Sequence, residues 1–279
     1  MKPVAFEYER PADIRAAIKL LADDGVFAKA VAGSQSLGPM LNLRLAQPDL
    51  LVDITAIPEM IAVSETRDGV EIGACVTHAN IEDRRIPDVS KGLLPYVAGK
   101  IAYRAVRNRG TVGGSIAHAD PAADWISAFA LLAAEAVIEA DGSSRTASVE
   151  SLMISSFTTS LQPGELIRSF RIAKLSPKAS WGFYKFNQKA GEFAHAIGAV
   201  LHDPERNRFR AVIGAIEASP IVIADATELF DGPFGRDLPE RVNAAKVDKL
   251  LDERGVTDAY SRRLLLVALK RAAIQAVGS

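Results

Sequence analysis

The N-terminal part of the chain alternates amphipathic segments with short apolar runs. Apolar residues recur at helical spacing from Ala12 to Asp24, and an apolar strand is predicted over Val26–Ala32. Pro39 suits an early helical position, so Gly38–Leu45 is predicted to be a helix. Leu50–Ile54 has the pattern of a buried strand. Together these segments predict a β-turn-α-β unit that closes near residue 58.

The central part predicts further strands, a capped helix and a buried helix. Asp124–Ala134 is apolar nearly all round, which is typical of a helix with no solvent-facing side. The other predicted elements are strands at Ile61–Ser64, Val70–Val76, Glu135–Ala140 and Arg145–Ser148, a helix at Ala79–Asp83 capped by Thr77 or His78, and a longer helix at Gly92–Val106.

The C-terminal part switches to the period-2 pattern of strands and ends in helices. The predicted strands are Ile167–Ile172, Trp181–Asn187, Ala194–His202 and Phe209–Ala215, and the predicted helices are Pro239–Leu251 and Asp258–Ala276. His202 is expected in a surface loop. The pattern as a whole predicts an α+β protein, with a domain boundary near Lys174–Ala179.

Composition excludes several classes of function. With a net charge of -1, the chain has no electrostatic basis for binding nucleic acid or a membrane surface. Cys75 is the only cysteine, so the chain alone forms no disulfide and holds no iron–sulfur cluster, and Cys75 is expected to be an inert packed thiol. No metal-binding motif is present. The chain shows neither an apolar signal region nor a membrane span, so a cytoplasmic location is expected.

The first candidate binding segment is Ala32-Gly33-Ser34-Gln35-Ser36-Leu37, between a predicted strand and a predicted helix. Such a turn presents backbone N–H groups at the positive end of the helix dipole, an arrangement suited to a pyrophosphate. Gly33 allows close approach, and the hydroxyl and amide side chains add donors. The alternative is an ordinary turn before a helix capped by serine.

The second candidate segment is Gly110-Thr111-Val112-Gly113-Gly114-Ser115, and the same reasoning applies to it. Thr111 and Ser115 supply hydroxyls, His118 is close enough to touch a ligand, and Asp124 can accept hydrogen bonds from sugar-like hydroxyls. The alternative is a packing turn before a buried helix. Neither segment has the lysine of a Walker P-loop or the spacing of a Rossmann fingerprint.

The two segments resemble those of the FAD-binding medium subunit of molybdenum hydroxylases, a family that includes flavin subunits of carbon monoxide dehydrogenase and relatives of xanthine dehydrogenase. Residues 32–37 are similar to the family's Ala-Gly-Gly-x-Ser-Leu loop, and residues 107–115 to its Ile-Arg-Asn-x-Gly-Thr-Ile-Gly-Gly-Asn segment. Segments 6–11, 163–167 and 185–186 also match. Ser34 replaces the usual second glycine, so it either keeps an ordinary φ or is strained. Ser115 replaces the usual asparagine, at the expense of one flavin hydrogen bond.

The resemblance implies a fold and a set of domains. Residues 1–175 would form an FAD-binding fold of the vanillyl-alcohol oxidase (PCMH) type, in subdomains of about 1–57 and 58–175. Residues 176–279 would form the family's C-terminal domain of antiparallel sheet and helices.

The resemblance also implies roles for individual residues. Lys29 to Leu37 would hold the pyrophosphate, the segment from Gly110 to His118 the flavin-side half, and Asp124 ribityl or ribose hydroxyls. Ile101 and Ile167 would flank the ring system, with Lys185 near the flavin; a surface charge at a strand edge is the alternative for Lys185. The full set of expected cofactor-binding residues is Lys29, Ala32, Gly33, Ser34, Gln35, Ser36, Leu37, Ile101, Gly110, Thr111, Gly113, Gly114, Ser115, Ala117, His118, Asp124, Ile167 and Lys185.

The function implied is that of an electron-transfer subunit, with no catalytic acid or base on this chain. A large partner would carry the molybdenum cofactor and a small partner two [2Fe-2S] clusters, in a heterotrimer or its dimer. Electrons would pass through FAD to an external acceptor. Two alternatives stay open: an independent FAD-dependent oxidase using His118 or His195 as base, and a redox-inactive nucleotide-binding assembly protein.

Overall fold

The computed structural model describes residues 2–278 as a mixed helix-and-sheet protein. The strands are β1 (Glu7–Glu9), β2 (Ala28–Val31), β3 (Leu50–Asp53), β4 (Val63–Glu65), β5 (Gly69–Gly73), β6 (Glu135–Ala140), β7 (Ser143–Ser148), β8 (Met153–Ser155), β9 (Thr158–Thr159), β10 (Leu166–Ala173), β11 (Ser180–Phe186), β12 (Ala196–Asp203), β13 (Arg208–Gly214) and β14 (Ile221–Ile223). The helices are α1 (Ile14–Leu21), α2 (Leu37–Asn42), α3 (Pro58–Ile61), α4 (His78–Glu82), α5 (Leu93–Lys100), α6 (Arg104–Arg107), α7 (Val112–His118), α8 (Asp124–Leu132), α9 (Val149–Leu152), α10 (Ala244–Glu253) and α11 (Ala259–Gly278).

These strands form separate sheets in the N-terminal, central and C-terminal parts of the chain. The N-terminal sheet is parallel with the order β1-β3-β2. The central sheet has the order β4-β5-β10-β6-β7, and the C-terminal sheet has the order β11-β12-β13-β14; both are antiparallel. Strands β8 and β9 form a small hairpin. The parallel pairing of β2 and β3 requires the crossover through α2, which places the segment 32–37 at the end of β2.

The C-terminal sheet lies between α8 and α11. Successive residues of its strands therefore face one helix and then the other. Along β12, Ile197 and Ala199 join the core that includes α8, whereas Ala196 and Val200 join the cluster around α11. Every residue of α8 is buried, as its all-round apolar pattern predicts. A Cβ at Gly182 would overlap the Ala272 carbonyl oxygen, so a glycine in β11 is what lets α11 pack closely.

Several sequence predictions were wrong in detail. The helix predicted over Gly92–Val106 is two helices, α5 and α6, because the backbone at Ile101 is extended and Ala102 has a φ of 41°. Ile61 ends α3 instead of beginning a strand, and the penultimate helix begins at Ala244 instead of Pro239. His202 lies within β12, stacked on Phe234 with 4.2 Å between ring centroids, instead of in a surface loop. Among residues 2–278, no helix combines the length and the hydropathy needed to cross a bilayer.

Candidate functional site

One cavity of about 520 Å³ is bordered by residues from the N-terminal, central and C-terminal sheets. All the residues expected from the sequence line it: Lys29, Ala32, Gly33, Ser34, Gln35, Ser36, Leu37, Ile101, Gly110, Thr111, Gly113, Gly114, Ser115, Ala117, His118, Asp124, Ile167 and Lys185. The two glycine segments, far apart in sequence, therefore face one common space.

The two segments touch at Gly33. A Cβ at this position would overlap the carbonyl oxygen of Arg109 and would lie 2.7 Å from the Cα of Gly110. Both neighbours are backbone atoms that have no freedom to rotate away, so only glycine permits this crossing. The requirement at Gly33 comes from contact between the segments, since its φ is not positive.

The first segment keeps backbone donors free at the cavity wall. Among residues 2–278, the N–H groups of Gln35 and Ser36 donate to no acceptor of the protein. The Gln35 amide donates to the carbonyl oxygen of Gly33 at 2.9 Å, so this side chain stabilises the loop itself. Ser36 precedes α2 without making a side-chain capping bond, unlike the serine-capped turn that was the alternative. Ser34 has a φ of 59°, in the left-handed region where glycine is favoured.

The second segment is built differently, because most of its backbone N–H groups already bond within the protein. Gly113 and Gly114 lie within α7, which Thr111 caps by accepting a hydrogen bond from the Gly114 N–H at 3.1 Å. The N–H of Gly113 donates to Ala74 at 2.8 Å, and that of Val112 donates to Val76 at 3.1 Å. A Cβ at Gly113 would lie 2.7 Å from the Ala74 carbonyl oxygen, so this glycine lets α7 pack against the end of β5.

A buried ion pair closes another side of the cavity. The Nζ of Lys185 lies 2.8 Å from the Oδ2 of Asp124, and the two side chains are only 5% and 4% exposed. The interpretation of Lys185 as a surface charge is therefore wrong. Burial raises the pKa of Asp124, and the ammonium of Lys185 opposes that rise. The other oxygen, Oδ1, is buried without a hydrogen-bond partner among the described residues.

His78 also lines the cavity, although its sequence position predicts only a helix cap. Its Nδ1 accepts a hydrogen bond from the Trp125 indole at 3.0 Å, and its backbone N–H donates to Gly110 at 2.9 Å. Burial, helped by the charge of Arg107, lowers the pKa of His78 to about 4, so the ring is neutral at pH 7. A lone histidine at the start of a helix carries no sequence signal for such a position.

Other lining residues were also missed. They come from strands, helices and loops, and none was expected to bind the cofactor: Ala30, Met40, Ala46, Ile54, Met60, Ala74, Cys75, Ala102, Val106, Leu161, Glu165, Leu166, Gly191, Glu192 and Phe193. Burial raises the pKa of the Cys75 thiol to about 12, which agrees with the expectation of an inert thiol. In the part of the chain that the structure describes, no three His, Cys, Asp or Glu residues converge as a metal site.

Comparison with known proteins identifies the family of this chain. The model of the FAD binding domain in molybdopterin dehydrogenase matches residues 4–174, more than half of the chain. The chain belongs to the medium-subunit family of molybdenum hydroxylases. It is thus a subunit of an oxidoreductase, and it contains an FAD-binding domain.

Individual relatives agree with this assignment. The medium subunit is 34% identical over 252 residues to the nicotine 6-hydroxylase medium subunit of Paenarthrobacter nicotinovorans, covering 88% of this chain and 86% of that one. It is 37% identical to subunit alpha of the 6-hydroxypseudooxynicotine dehydrogenase complex of the same organism, over 70% of this chain and 66% of that one. A structure of carbon monoxide dehydrogenase from Hydrogenophaga pseudoflava superposes with a TM-score of 0.87 at 29% identity, covering 100% of this chain and 99% of that one.

The cavity of this medium subunit fits a flavin dinucleotide. The crossing at Gly33 leaves a backbone surface with no side chain in the way, and the free N–H groups of Gln35 and Ser36 suit a pyrophosphate. The unpartnered Oδ1 of Asp124 is an acceptor suited to a hydroxyl group. Apolar Ile101 and Ile167 add walls suited to a ring system.

Proposed function

We propose that this medium subunit binds FAD in the cavity and relays electrons from [2Fe-2S] clusters of a small partner subunit to an external acceptor. The observation that carries the proposal is the contact at Gly33, which joins two glycine segments into one wall of the cavity that the buried Lys185–Asp124 pair also lines. The flavin, when bound, supplies the redox chemistry, and the protein supplies position and electrostatics.

The chain's own residues would divide the cofactor between them. The residues from Lys29 to Leu37 bind the pyrophosphate, with backbone donors from Gln35 and Ser36. The Oδ1 of Asp124 accepts a hydrogen bond from a ribityl or ribose hydroxyl.

The remaining contacts orient the ring. Ile101 and Ile167 hold it from its two sides, and the segment from Gly110 to His118 forms the wall of the flavin-side half. Lys185, paired with Asp124, would lie at the cavity wall near the ring.

The proposal extends to the fold and the complex. Residues 1–175 would be an FAD-binding fold of the vanillyl-alcohol oxidase type, in subdomains of about 1–57 and 58–175, followed by the C-terminal domain at 176–279. The partners are a large subunit with the molybdenum cofactor and a small iron–sulfur subunit, in a cytoplasmic heterotrimer or a dimer of heterotrimers. The relatives are named as subunits of a complex and as medium subunits or chains, which supports an assembly of this kind.

The independent oxidase finds less support. Such an enzyme needs a base beside the flavin. His118 lines the cavity, where its ring packs against Phe157 with 5.2 Å between centroids; burial lowers its pKa, which leaves it neutral but a weaker base. His195 is exposed and is not among the lining residues. We therefore assign no catalytic acid or base to this chain.

The test is to isolate the chain gently from its own host through a tag, to count the co-eluting chains and to assay turnover. If the chain is an electron-transfer subunit, it should co-purify with flavin and with two further subunits that carry iron and molybdenum. The chain alone should then oxidise no substrate. Full turnover by the flavin-loaded chain without partners would identify an independent oxidase and contradict the proposal.

A further inference from the structure

His78 is a buried residue of the cavity wall, and the fold uses only one of its two ring nitrogens. Its backbone N–H donates to the Gly110 carbonyl oxygen at 2.9 Å, and the neighbouring Thr77 forms an isolated β-bridge with Thr111. Both contacts fasten the start of α4 to the second glycine segment. The position of the imidazole is therefore fixed relative to the segment that would hold the flavin side of the cofactor.

The hydrogen bond from Trp125 determines which ring nitrogen of His78 carries the proton. The Trp125 indole donates to Nδ1 at 3.0 Å, so Nδ1 has no proton of its own. Burial keeps the ring neutral at pH 7, because it lowers the pKa of His78 to about 4. A neutral imidazole carries its single proton on the other nitrogen. Nε2 is therefore a hydrogen-bond donor.

This Nε2–H group has no acceptor within the protein. Among residues 2–278, Nε2 makes no hydrogen bond, yet it is not one of the fully enclosed side-chain atoms that lack a partner. It is therefore open to the cavity that His78 lines, although the residue as a whole is only 5% exposed. A nearly buried donor without an acceptor costs free energy, which a ligand with a suitable acceptor would recover.

Gly110 leaves the space that this donor needs. A Cβ at Gly110 would lie 2.7 Å from Nε2 and 2.9 Å from the Cδ2 of the His78 ring. The φ of Gly110 is not positive, so the requirement for glycine comes mainly from the imidazole and not from the backbone conformation. The N–H of Gly110 donates to Val106 at 2.7 Å, which places the donor close to α6, the helix that follows Ile101.

We propose that the Nε2–H of His78 donates a hydrogen bond to an oxygen on the flavin side of bound FAD. The inference rests on the proposed function, since it requires FAD in the cavity. The flavin side is favoured because the donor lies beside Gly110 and α6. The acceptor Oδ1 of Asp124 lines the same cavity, and Asp124 and Trp125 are adjacent residues of α8. The start of one helix thus carries the acceptor and, through Nδ1, directs the donor.

The test measures the Kd of FAD for the complex isolated through a tag on this chain and freed of its flavin. His78→Leu removes the donor and should raise the Kd about three- to tenfold, the loss expected for one neutral hydrogen bond. His78→Gln keeps an acceptor for Trp125 and an N–H donor for FAD, so its Kd should stay closer to that of the wild type. His202→Leu makes the same change at a histidine that does not line the cavity, and it should leave the Kd unchanged.

A second pair of variants separates the lost donor from lost stability. His78→Leu leaves the buried Trp125 indole without its acceptor, which destabilises the fold. The double variant Trp125→Phe/His78→Leu contains neither polar group and is compared with Trp125→Phe alone. The two proteins should have matching Tm values before FAD is added, and their Kd values for FAD should differ by the same factor.

FMN and ADP as competitors of FAD locate the contact. His78→Leu should weaken the binding of FMN by the same factor as that of FAD and leave the binding of ADP unchanged. Equal Kd values for FAD in both Leu variants and their parent proteins would overturn the inference, as would weaker binding of ADP, which has no flavin. A wild-type complex that binds no FAD would overturn the proposed function instead.

Discussion

Lys185 and Asp124 meet at 2.8 Å although they belong to different layers of the protein. Lys185 lies on β11 of the C-terminal sheet, and Asp124 begins the buried helix α8. Neither charge is appreciably exposed, so each depends on the other for compensation. The cavity wall is thus held together by a pair that links the C-terminal sheet to the rest of the fold.

The first prediction concerns this pair. Lys185→Met leaves the Asp124 carboxylate buried without its cation and should cost about 3–5 kcal/mol of unfolding free energy. Adding Asp124→Asn removes the stranded charge, so the double variant should be more stable than the sum of the two single effects predicts. Urea unfolding of the four proteins measures the coupling.

The exposed pair of Lys178 and Glu205 is the control, and Lys178→Met should cost less than about 1 kcal/mol of unfolding free energy. Additive effects for Lys185 and Asp124 would refute the role given to the pair.

The second prediction concerns Ser34, whose φ of 59° is unfavourable for a residue with a Cβ. Ser34→Gly should raise the unfolding free energy by up to about 1 kcal/mol, and Ser34→Val should lower it, because β-branched residues tolerate this conformation poorly. Thermal unfolding measures both. Ser64→Gly, in strand β4, is the control and should destabilise by about 0.5–1 kcal/mol. A loss of stability in Ser34→Gly equal to that control would show that Ser34 carries no strain.

The third prediction is a pH dependence that comes from His78. Burial lowers its pKa to about 4, while the unfolded chain takes up the proton near its ordinary value of ~6.5. The unfolded state binds more protons between these values, so the unfolding free energy falls as the pH drops from about 6.5 towards 4. The share from His78 is about 3 kcal/mol.

The measurement is urea unfolding at several pH values in that window. His78→Gln keeps an acceptor for the Trp125 indole but does not titrate, so its curve should be flatter than that of the wild type. Equal slopes for the wild type and His78→Gln would mean that the buried imidazole does not control acid stability.

The sequence predicts what depends on local pattern. The two glycine segments, the buried helix and the C-terminal strands follow from spacing and composition. The family resemblance, and not the local pattern, supplied Ile101, Ile167 and Lys185, and these residues also line the cavity. The break at Ile101 does not follow, because nothing in the apolar period from Gly92 to Val106 marks it. The sequence also does not show which backbone N–H groups of the two glycine segments are free. Those of Gly113 and Val112 donate to residues near position 75, which are far away in sequence.

Contacts between residues that are far apart in sequence set the general limit of prediction from the sequence. Lys185 has an apolar and aromatic neighbourhood in sequence, and its burial against Asp124 is decided by how β11 packs on α8. His78 is buried for the same kind of reason, because Trp125 and Gly110 reach it from other elements. Local propensity carries no information about such contacts. For Lys185, the family resemblance supplied the position near the flavin instead.

The most direct measurement of the central claim is the FAD content of the complex, determined from its absorption spectrum and from flavin released on denaturation. The account predicts one FAD per chain in the wild type. It predicts a loss of at least tenfold in Gly33→Ala, whose methyl group would overlap the Arg109 carbonyl oxygen, and no loss in Gly99→Ala, where the nearest atom would be 3.6 Å away. A folded wild-type chain without flavin, or full flavin in Gly33→Ala, would contradict the claim that FAD binds where the two glycine segments cross.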